Sequence, residues 1–297
     1  MLGNMPIELV GAMLQTAAEL YLISDRATVL NIAKSCSIGY TYATPVLYRT
    51  IFIEDTNTHL FAPVFNESAP FRVAGGLLSR PATERLCCHV RRLFLGINET
   101  MDPHLFVRLF PQLQAVFAFG DLFLTKDDYG QLPSTLRSFH ALSIPRDQWV
   151  PPTITHLCIF WTLDYLSVDE LIEWFETRVS NTVTHVALEL NVPLEPDQGT
   201  DFAVILQYLL GRSATALLAI RIYSKAIDAN SIRIMLKGIG NMDAAQRQRV
   251  IVWHDERDIQ DGLVDVYTSK LDAICGRTPW SEASPEPQSE LDAAMAE

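Results

Sequence analysis

Residues 154–160 read ITHLCIF, and residues 183–189 read VTHVALE. The two stretches share apolar residues at their first, fourth and sixth positions, and both place a Thr-His pair directly after the first. A phrase this short cannot form a domain by itself. Its return therefore predicts a structural unit that the chain uses more than once.

Four other segments follow the same pattern when their first apolar residues are aligned. The six segments begin at Val90 (VRRLFL), Leu113 (LQAVFA), Leu136 (LRSFHA), Ile154 (ITHLCI), Val183 (VTHVAL) and Leu217 (LLAIRI). Each matches L-x-x-L-x-L, the strand portion of a leucine-rich repeat, in which alternate apolar side chains point inward and the others face outward. One such match is weak because any half-buried strand gives it, so the prediction depends on the succession of six.

Helical patterns separate several of these strands. They begin near Asp102, Ser167, Asp201 and Asp228, and the second opens with Ser167 and Glu170 at the spacing of a capping box. Alternation of strand and helix predicts an α/β fold with parallel strands joined by helical crossovers. A doubly wound sheet gives the same alternation. The polar residues along one side of each strand, and the lack of a glycine-rich turn after the first strand, favour an irregular leucine-rich-repeat-like solenoid.

Composition narrows the classes of partner. The chain has 297 residues and 48% hydrophobic content, enough for a sizeable core, and a net charge of −12 that would repel nucleic acid. Its five cysteines form no CxxC motif, which favours a reducing compartment, cytoplasmic or nuclear. Neither a signal peptide nor a membrane span is expected, because no long uncharged apolar stretch occurs.

The ends of the chain differ from its middle. We expect a short helical module over 1–55 and a solenoid over 56–277, closed by a last strand at Val250 and a capping helix from Asp258 to Cys275. Residues 278–297 carry five acidic residues and no Lys or Arg. That composition predicts a disordered acidic tail.

Four short motifs of the N-terminal module resemble a known domain. They are M-P-I-E-L at Met5–Leu9, the pair Met13-Leu14, A-K-S-C at Ala33–Cys36, and P-V-L-Y-R-T-I at Pro45–Ile51. Together they resemble the F-box of fungal F-box proteins of the mushroom type, in which degenerate leucine-rich repeats follow the box. The sequence departs from that family at Met5, where leucine is usual, and at Gly39-Tyr40, where tryptophan is common.

The resemblance implies a division of labour between the two parts of the chain. An F-box docks on the adaptor protein of an SCF-type ubiquitin ligase, and the repeats behind it hold a protein substrate, while other subunits perform catalysis. The residues that would face the adaptor are Pro6, Ile7, Leu9 and Leu14, with Leu47 and Tyr48 bracing the module. The alternative is an interaction solenoid whose N-terminal helices only cap the fold.

Residue patterns for catalysis and for cofactors are weak. No G-x-S-x-G occurs, and Gly75-Gly76 lacks the lysine of a phosphate loop, so we expect neither an enzyme nor a cofactor. The register places His156 beside His185 on neighbouring strands, with His140 and Cys158 in the next column. Such a group could bind zinc, but repeated histidines more often pack or form hydrogen bonds, and we predict no metal.

The outward positions of the strands are rich in aromatic residues. An exposed aromatic ladder is typical of a binding surface, and it predicts a substrate site on the concave face. The site comprises Phe94, Phe117, Phe119, His140, Phe160, Arg221 and Tyr223, with Glu189 adding polar selectivity beside Arg221. Two alternatives stay open: the loop from Asn57 to Arg80 covers these rings, or the register is off by one residue and turns them inward.

Overall fold

A computed structural model gives the fold of most of the repeat region. It describes residues 6–54, 85–96, 107–118, 132–141, 149–160, 167–190, 198–223, 237, 239–240 and 242–255. Several predictions fall outside the described residues: Phe119, the loop from Asn57 to Arg80, the helix near Asp228, the capping helix from Asp258 to Cys275, and the tail over 278–297.

Three helices open the described chain: α1 (Ile7–Ser24), α2 (Arg26–Ser35) and α3 (Ser37–Leu47). Pro6 precedes α1, where its missing N–H costs no hydrogen bond, and the Asp25 side chain caps α2 by accepting from the Thr28 N–H. A Cβ at Gly11 would lie 2.3 Å from ring atoms of Tyr42, so glycine allows α1 to approach α3 closely. The three helices share a small core of Ala18, Val29, Ala33, Ala43, Val46 and Leu47.

In the described part of the chain, eight strands form one parallel sheet. They are β1 (Thr50–Glu54), β2 (Arg92–Gly96), β3 (Ala115–Ala118), β4 (Ser138–Ala141), β5 (His156–Phe160), β6 (His185–Leu190), β7 (Leu217–Tyr223) and β8 (Val250–Asp255). Each pairs with its neighbours in chain order from β1 to β8, without a reversal. A doubly wound sheet reverses at a switch point, so the order excludes that alternative and confirms the predicted α/β class with parallel, successive strands.

Helices on one face of the sheet join several of these strands: α4 (Val168–Thr177), α5 (Gln198–Gly211) and the short α6 (Ala244–Arg247). The predicted capping box starts α4, because the Ser167 hydroxyl accepts from the Glu170 N–H while the Glu170 carboxylate accepts from the Ser167 N–H. No helix in the described part of the chain has the length and apolar character needed to cross a bilayer.

A tight turn precedes six of the strands, and each turn is closed by a backbone hydrogen bond from a residue to the carbonyl three positions earlier. The donors, which we term the ladder residues, are Val90, Leu113, Leu136, Ile154, Val183 and Thr215. All six are buried and lie two residues before their strands. The five apolar ladder residues belong to the main core, which also contains Trp174 and Phe175 of α4 and Leu206 and Leu209 of α5.

Successive repeats are joined at the strand starts by a doubled hydrogen bond. The Arg49 carbonyl accepts from the N–H groups of Arg91 and Arg92 at 2.9 and 3.0 Å, and the Arg91 carbonyl accepts from those of Gln114 and Ala115 at 2.8 and 3.0 Å. The same arrangement returns at the carbonyls of Gln114, Arg137, Thr155 and Thr184. The sheet is therefore continuous at its strand-start edge from β1 to β7.

The predicted register is correct for five segments and wrong by two residues for the sixth. β7 pairs Leu217 with His185, so Thr215 is the ladder residue of that repeat, and the predicted anchor Leu217 lies two residues further along. The sequence prediction placed the anchor at Leu217 because LLAIRI is strongly apolar, whereas Thr215 is polar and does not fit the pattern. β1 was not predicted either, because the residues before it belong to the helical module.

Thr215 is a polar residue in an apolar ladder, and its buried hydroxyl has no hydrogen-bond partner. We expect Thr215→Val, which keeps the shape of the side chain, to raise the free energy of unfolding by about 1 kcal/mol because it removes an unsatisfied buried hydroxyl. Urea denaturation measures the change. The matched control is Val183→Thr at the equivalent position of the preceding repeat, which should destabilise. Loss of stability in Thr215→Val would show that the hydroxyl is satisfied.

Candidate functional site

The sheet carries a second face opposite the main core, and its side chains form three rows across the strands. The first row, at the strand starts, comprises Thr50, Arg92, Ala115, Ser138, His156, His185 and Leu217. The middle row comprises Phe52, Phe94, Phe117, His140, Cys158, Ala187 and Ala219, and the last row includes Phe160, Glu189 and Arg221. Apart from buried Thr50, the first row is half-buried.

The middle row is an aromatic stack at its β1–β4 end. Ring centroids lie 5.5 Å apart for Phe52 and Phe94, 6.5 Å for Phe94 and Phe117, and 4.0 Å for Phe117 and His140. These rings belong to a cluster separate from the main core, which takes Leu93 and Leu95 instead. The predicted facing of the strands is thus correct, and the alternative of a one-residue shift is excluded.

The predicted exposure of this face is wrong. Phe94, Phe117, His140, Phe160 and Arg221 are all buried, so none of them presents a free surface to a substrate. A solvated aromatic ladder of this size would leave a large apolar patch in water, and burial on both faces removes that cost. Tyr223 ends β7, but its side chain lies outside the described part of the structure, as does the whole of Phe119.

Glu189 and Arg221 form a buried ion pair on the last row. They are directly opposite each other on β6 and β7, and the Arg221 Nη1 donates to Glu189 Oε1 at 2.9 Å. The side chains retain only 5% and 2% of their exposure. The predicted polar pair therefore exists, but its two charges compensate each other inside the protein.

The repeated Thr-His pairs form matching contacts in the first row. The Thr155 hydroxyl lies 2.8 Å from His156 Nδ1, and the Thr184 hydroxyl lies 2.9 Å from His185 Nδ1. The two imidazole rings stack with centroids 4.2 Å apart and an angle of 16° between their planes. The predicted neighbourhood of His156 and His185 is confirmed, and each threonine holds its histidine ring in place.

All three histidines of the second face are held toward the neutral form. Burial, with smaller contributions from the charges of Arg221 and His156, lowers the pKa of His140 to about 3. Burial and the neighbouring His185 lower the pKa of His156 to about 4, and burial lowers the pKa of His185. These rings are therefore packing groups at neutral pH rather than cations.

The arrangement offers little metal or acid–base chemistry. Stacked parallel rings place their nitrogens side by side rather than around a common point, and the described residues contain no group of three or more His, Cys, Asp or Glu that could hold a metal ion. Ser138 Oγ lies 3.0 Å from His140 Nε2, as a nucleophile lies from its base. With a pKa of about 3, however, His140 is a weak base for removing a serine proton at neutral pH.

The N-terminal helices present a different kind of surface. Of the residues predicted to face an adaptor, Pro6, Ile7 and Leu9 are exposed and Leu14 is half-buried. Leu9, Met13 and Leu20 lie on one side of α1, because they are four and seven residues apart, and they retain 50%, 53% and 73% exposure. We term these three residues the α1 stripe. Leu20 was missed by the sequence prediction, although its helical spacing from Leu9 and Met13 is a usable signal.

The sequence prediction also missed a row of arginines at the strand-start edge. Arg49 precedes β1, Arg91 and Arg92 meet the start of β2, and Arg137 precedes β4. No run of basic residues marks this group in the sequence, because the fold brings together residues from separate repeats. The signal is positional: arginine directly before or at the start of three of the first four strands.

Comparison with known proteins gives little further assignment. No family model matches the chain, and no curated protein is significantly similar to it. A solved structure that aligns with it is the leucine-rich repeat-containing protein LegL7 from Legionella pneumophila, which is 11% identical, with 79% of this chain and 95% of that chain covered at a TM-score of 0.37. A likeness at this level does not establish a family or a function.

The buried histidines predict a pH dependence of stability. Because the folded state lowers the pKa of His140 from 6.5 to about 3, the unfolded chain takes up that proton first as the pH falls. The contribution of neutral His140 is complete above about pH 6.5 and is lost progressively toward about pH 3. We expect His140→Gln to flatten the fall in unfolding free energy between about pH 7 and about pH 4. His89→Gln, outside the second face, is the control. An equal pH slope in wild type and His140→Gln would contradict the assignment.

The buried ion pair predicts strong coupling between two residues. Arg221→Leu removes the cation on β7 that faces the buried Glu189 carboxylate and should cost about 3 kcal/mol of stability. Adding Glu189→Leu removes the buried carboxylate as well, so the double variant should be more stable than Arg221→Leu alone. Chemical denaturation of the wild type and the three variants measures this coupling. A double variant less stable than the single one would mean that the pair is not the main interaction of either residue.

Proposed function

We propose that the chain is a non-enzymatic protein-binding repeat protein whose N-terminal helices dock on the adaptor of an SCF-type ubiquitin ligase. In this assignment α1 to α3 serve as an F-box-like module, and the repeats hold a protein substrate for modification by other subunits. The exposed α1 stripe is the observation that carries the docking assignment. The resemblance of Met5–Leu9 and Pro45–Ile51 to the F-box in sequence is the second support for this assignment.

The packing of the N-terminal helices supports a docking surface on α1. The helices already bury a core of their own, and Arg49 ties the end of the module to α1 through an ion pair with Glu19 at 2.7 Å. Leu9, Met13 and Leu20 are not needed for that core, since they lie on the side of α1 away from Ala18. Apolar side chains that contribute little to folding and remain in water are typical anchors for a partner.

The repeat region supports a substrate-binding role through its accessible edge. Burial of the middle and last rows keeps their aromatic side chains out of contact with a substrate. The first row is half-buried, so a partner can reach it. The serine and two histidines of this row, Ser138, His156 and His185, stand next to one another on β4, β5 and β6. Neutral side chains of this kind suit hydrogen bonding to a polypeptide better than catalysis.

Leu9 provides the sharpest test of adaptor docking. It lies in the first turn of α1, where an introduced carboxylate is favourable to the helix, so Leu9→Asp should keep the fold. We expect this variant to weaken binding of the purified SCF adaptor by at least about tenfold, with an unchanged melting temperature, because it places a charge in an apolar contact. Affinity is measured by titration calorimetry on the full-length chain.

The matched control is Val204→Asp on α5, an exposed apolar residue of similar accessibility outside the module. It should bind the adaptor as the wild type does. Equal adaptor binding by Leu9→Asp and wild type, or no binding by the wild type, would contradict docking and favour helices that only cap the solenoid. Unfolding of Leu9→Asp would identify Leu9 as a residue of the core.

A further inference from the structure

The strand-start edge around β1 to β4 carries Arg49, Arg91, Arg92 and Arg137. The whole chain, in contrast, has a net charge of −12. Arginines brought together at one edge are therefore a local property that the total charge conceals.

Two of these arginines form a regular pair on the surface. Arg91 and Arg137 are exposed, and they occupy equivalent positions directly before β2 and β4, with Gln114 between them before β3. Neighbouring strands of a sheet lie about 4.8 Å apart, so the backbones at Arg91 and Arg137 are about 10 Å apart.

The charges of this pair are available to a ligand. The Arg137 Nη1 donates to the carbonyl oxygens of Leu136 and Thr153 at 3.2 and 3.4 Å, contacts that fix the guanidinium against the edge without neutralising it. Within the described part of the chain, neither Arg91 nor Arg137 forms an ion pair. Arg49, one strand away, is by comparison paired with Glu19.

The geometry points to a binding site for a short acidic segment of a protein partner, held by Arg91 and Arg137 in an extended conformation. Carboxylates three residues apart in an extended segment of the polyproline II type lie on one side of the chain and about 9 Å apart, which is close to the spacing of the two arginines. Arginine binds carboxylates through paired hydrogen bonds, and this gives the contact direction as well as charge. The site gives the repeats a class of substrate, a protein with an acidic segment. This inference rests on the proposed function only because it takes the repeat region to bind a protein.

A nucleic acid fits this edge less well than a peptide does. A long polyanion would pass over the rest of an acidic surface and be repelled by it. A short segment responds mainly to the charges within about 10 Å, the distance beyond which salt screens exposed charges at about 0.1 M ionic strength. Local arginines on an acidic body therefore select a short acidic ligand.

The test uses the full-length protein and three labelled probes followed by fluorescence anisotropy. The probes are a peptide of about four Glu-Gly-Ser repeats, the same peptide with Gln for Glu, and a single-stranded oligothymidylate of about thirty nucleotides, which is long enough to extend beyond the edge. We expect binding of the Glu peptide alone, weakening as salt rises from about 50 to about 200 mM. Arg91→Ser combined with Arg137→Ser should weaken it by at least about tenfold.

The control variant removes the same amount of positive charge elsewhere, by combining Lys237→Ser with Arg247→Ser, and should bind within about twofold of the wild type. Equal melting temperatures establish that both variants are folded. The inference is overturned if the Gln peptide or the oligothymidylate binds as well as the Glu peptide, if the Glu peptide does not bind, or if Arg91→Ser with Arg137→Ser has no effect. Adaptor binding measured on the same preparations separates this failure from failure of the proposed function.

Discussion

From β1 to β7, successive repeats are positioned by one backbone contact, in which the carbonyl at a strand start accepts two successive N–H groups from the following repeat. Because two successive N–H groups share one acceptor, the register between neighbouring repeats is fixed to a single residue. That constraint matters because a slip of one residue would exchange the two faces of a strand, sending Leu93 out of the main core and Phe94 into it. The ladder residues and the rows of the second face all follow from this register.

The middle and last rows of the second face are mostly buried, so most of the sheet is covered on both sides. The middle row of the second face is aromatic from β1 to β4, and from β5 to β7 it consists of the smaller residues Cys158, Ala187 and Ala219. Beside these small residues lies the Glu189–Arg221 pair, so the one pair of opposite charges described there is internal. The proposed contacts with partners therefore lie at the strand-start edge and on α1, where side chains remain accessible.

The succession of strands was predictable because alternation of apolar residues reports directly on which side of a sheet a residue faces. That signal gave the facing of Phe94 and Phe117 and the neighbourhood of His156 and His185. It could not give burial of the second face, since alternation describes direction and says nothing about what covers each side. Thr215 was missed for a related reason: a polar residue that takes an apolar position breaks the pattern that identifies the position.

Local polar residues held a further signal that the hydrophobic pattern ignores. The Thr135 and Thr182 hydroxyls donate to the carbonyls of Leu113 and Ile154, the ladder residues of the preceding repeats, at 2.7 and 3.1 Å. Thr153 occupies the same position before Ile154, but its hydroxyl has no hydrogen-bond partner, so two of the three threonines directly before a ladder residue make this contact. Charge clustering at the edge was harder to foresee, because Arg91 and Arg137 come together only once β3 has been placed between them.

The strict chain order of the strands also has a kinetic meaning. Every strand pair joins neighbouring repeats, so no pairing requires distant parts of the sequence to meet before folding can proceed. Folding can then start at any well-packed pair, such as the one around α4 and α5, and spread outward by adding one repeat at a time. The same order limits the reach of damage, because a weakened repeat loosens its two neighbours first.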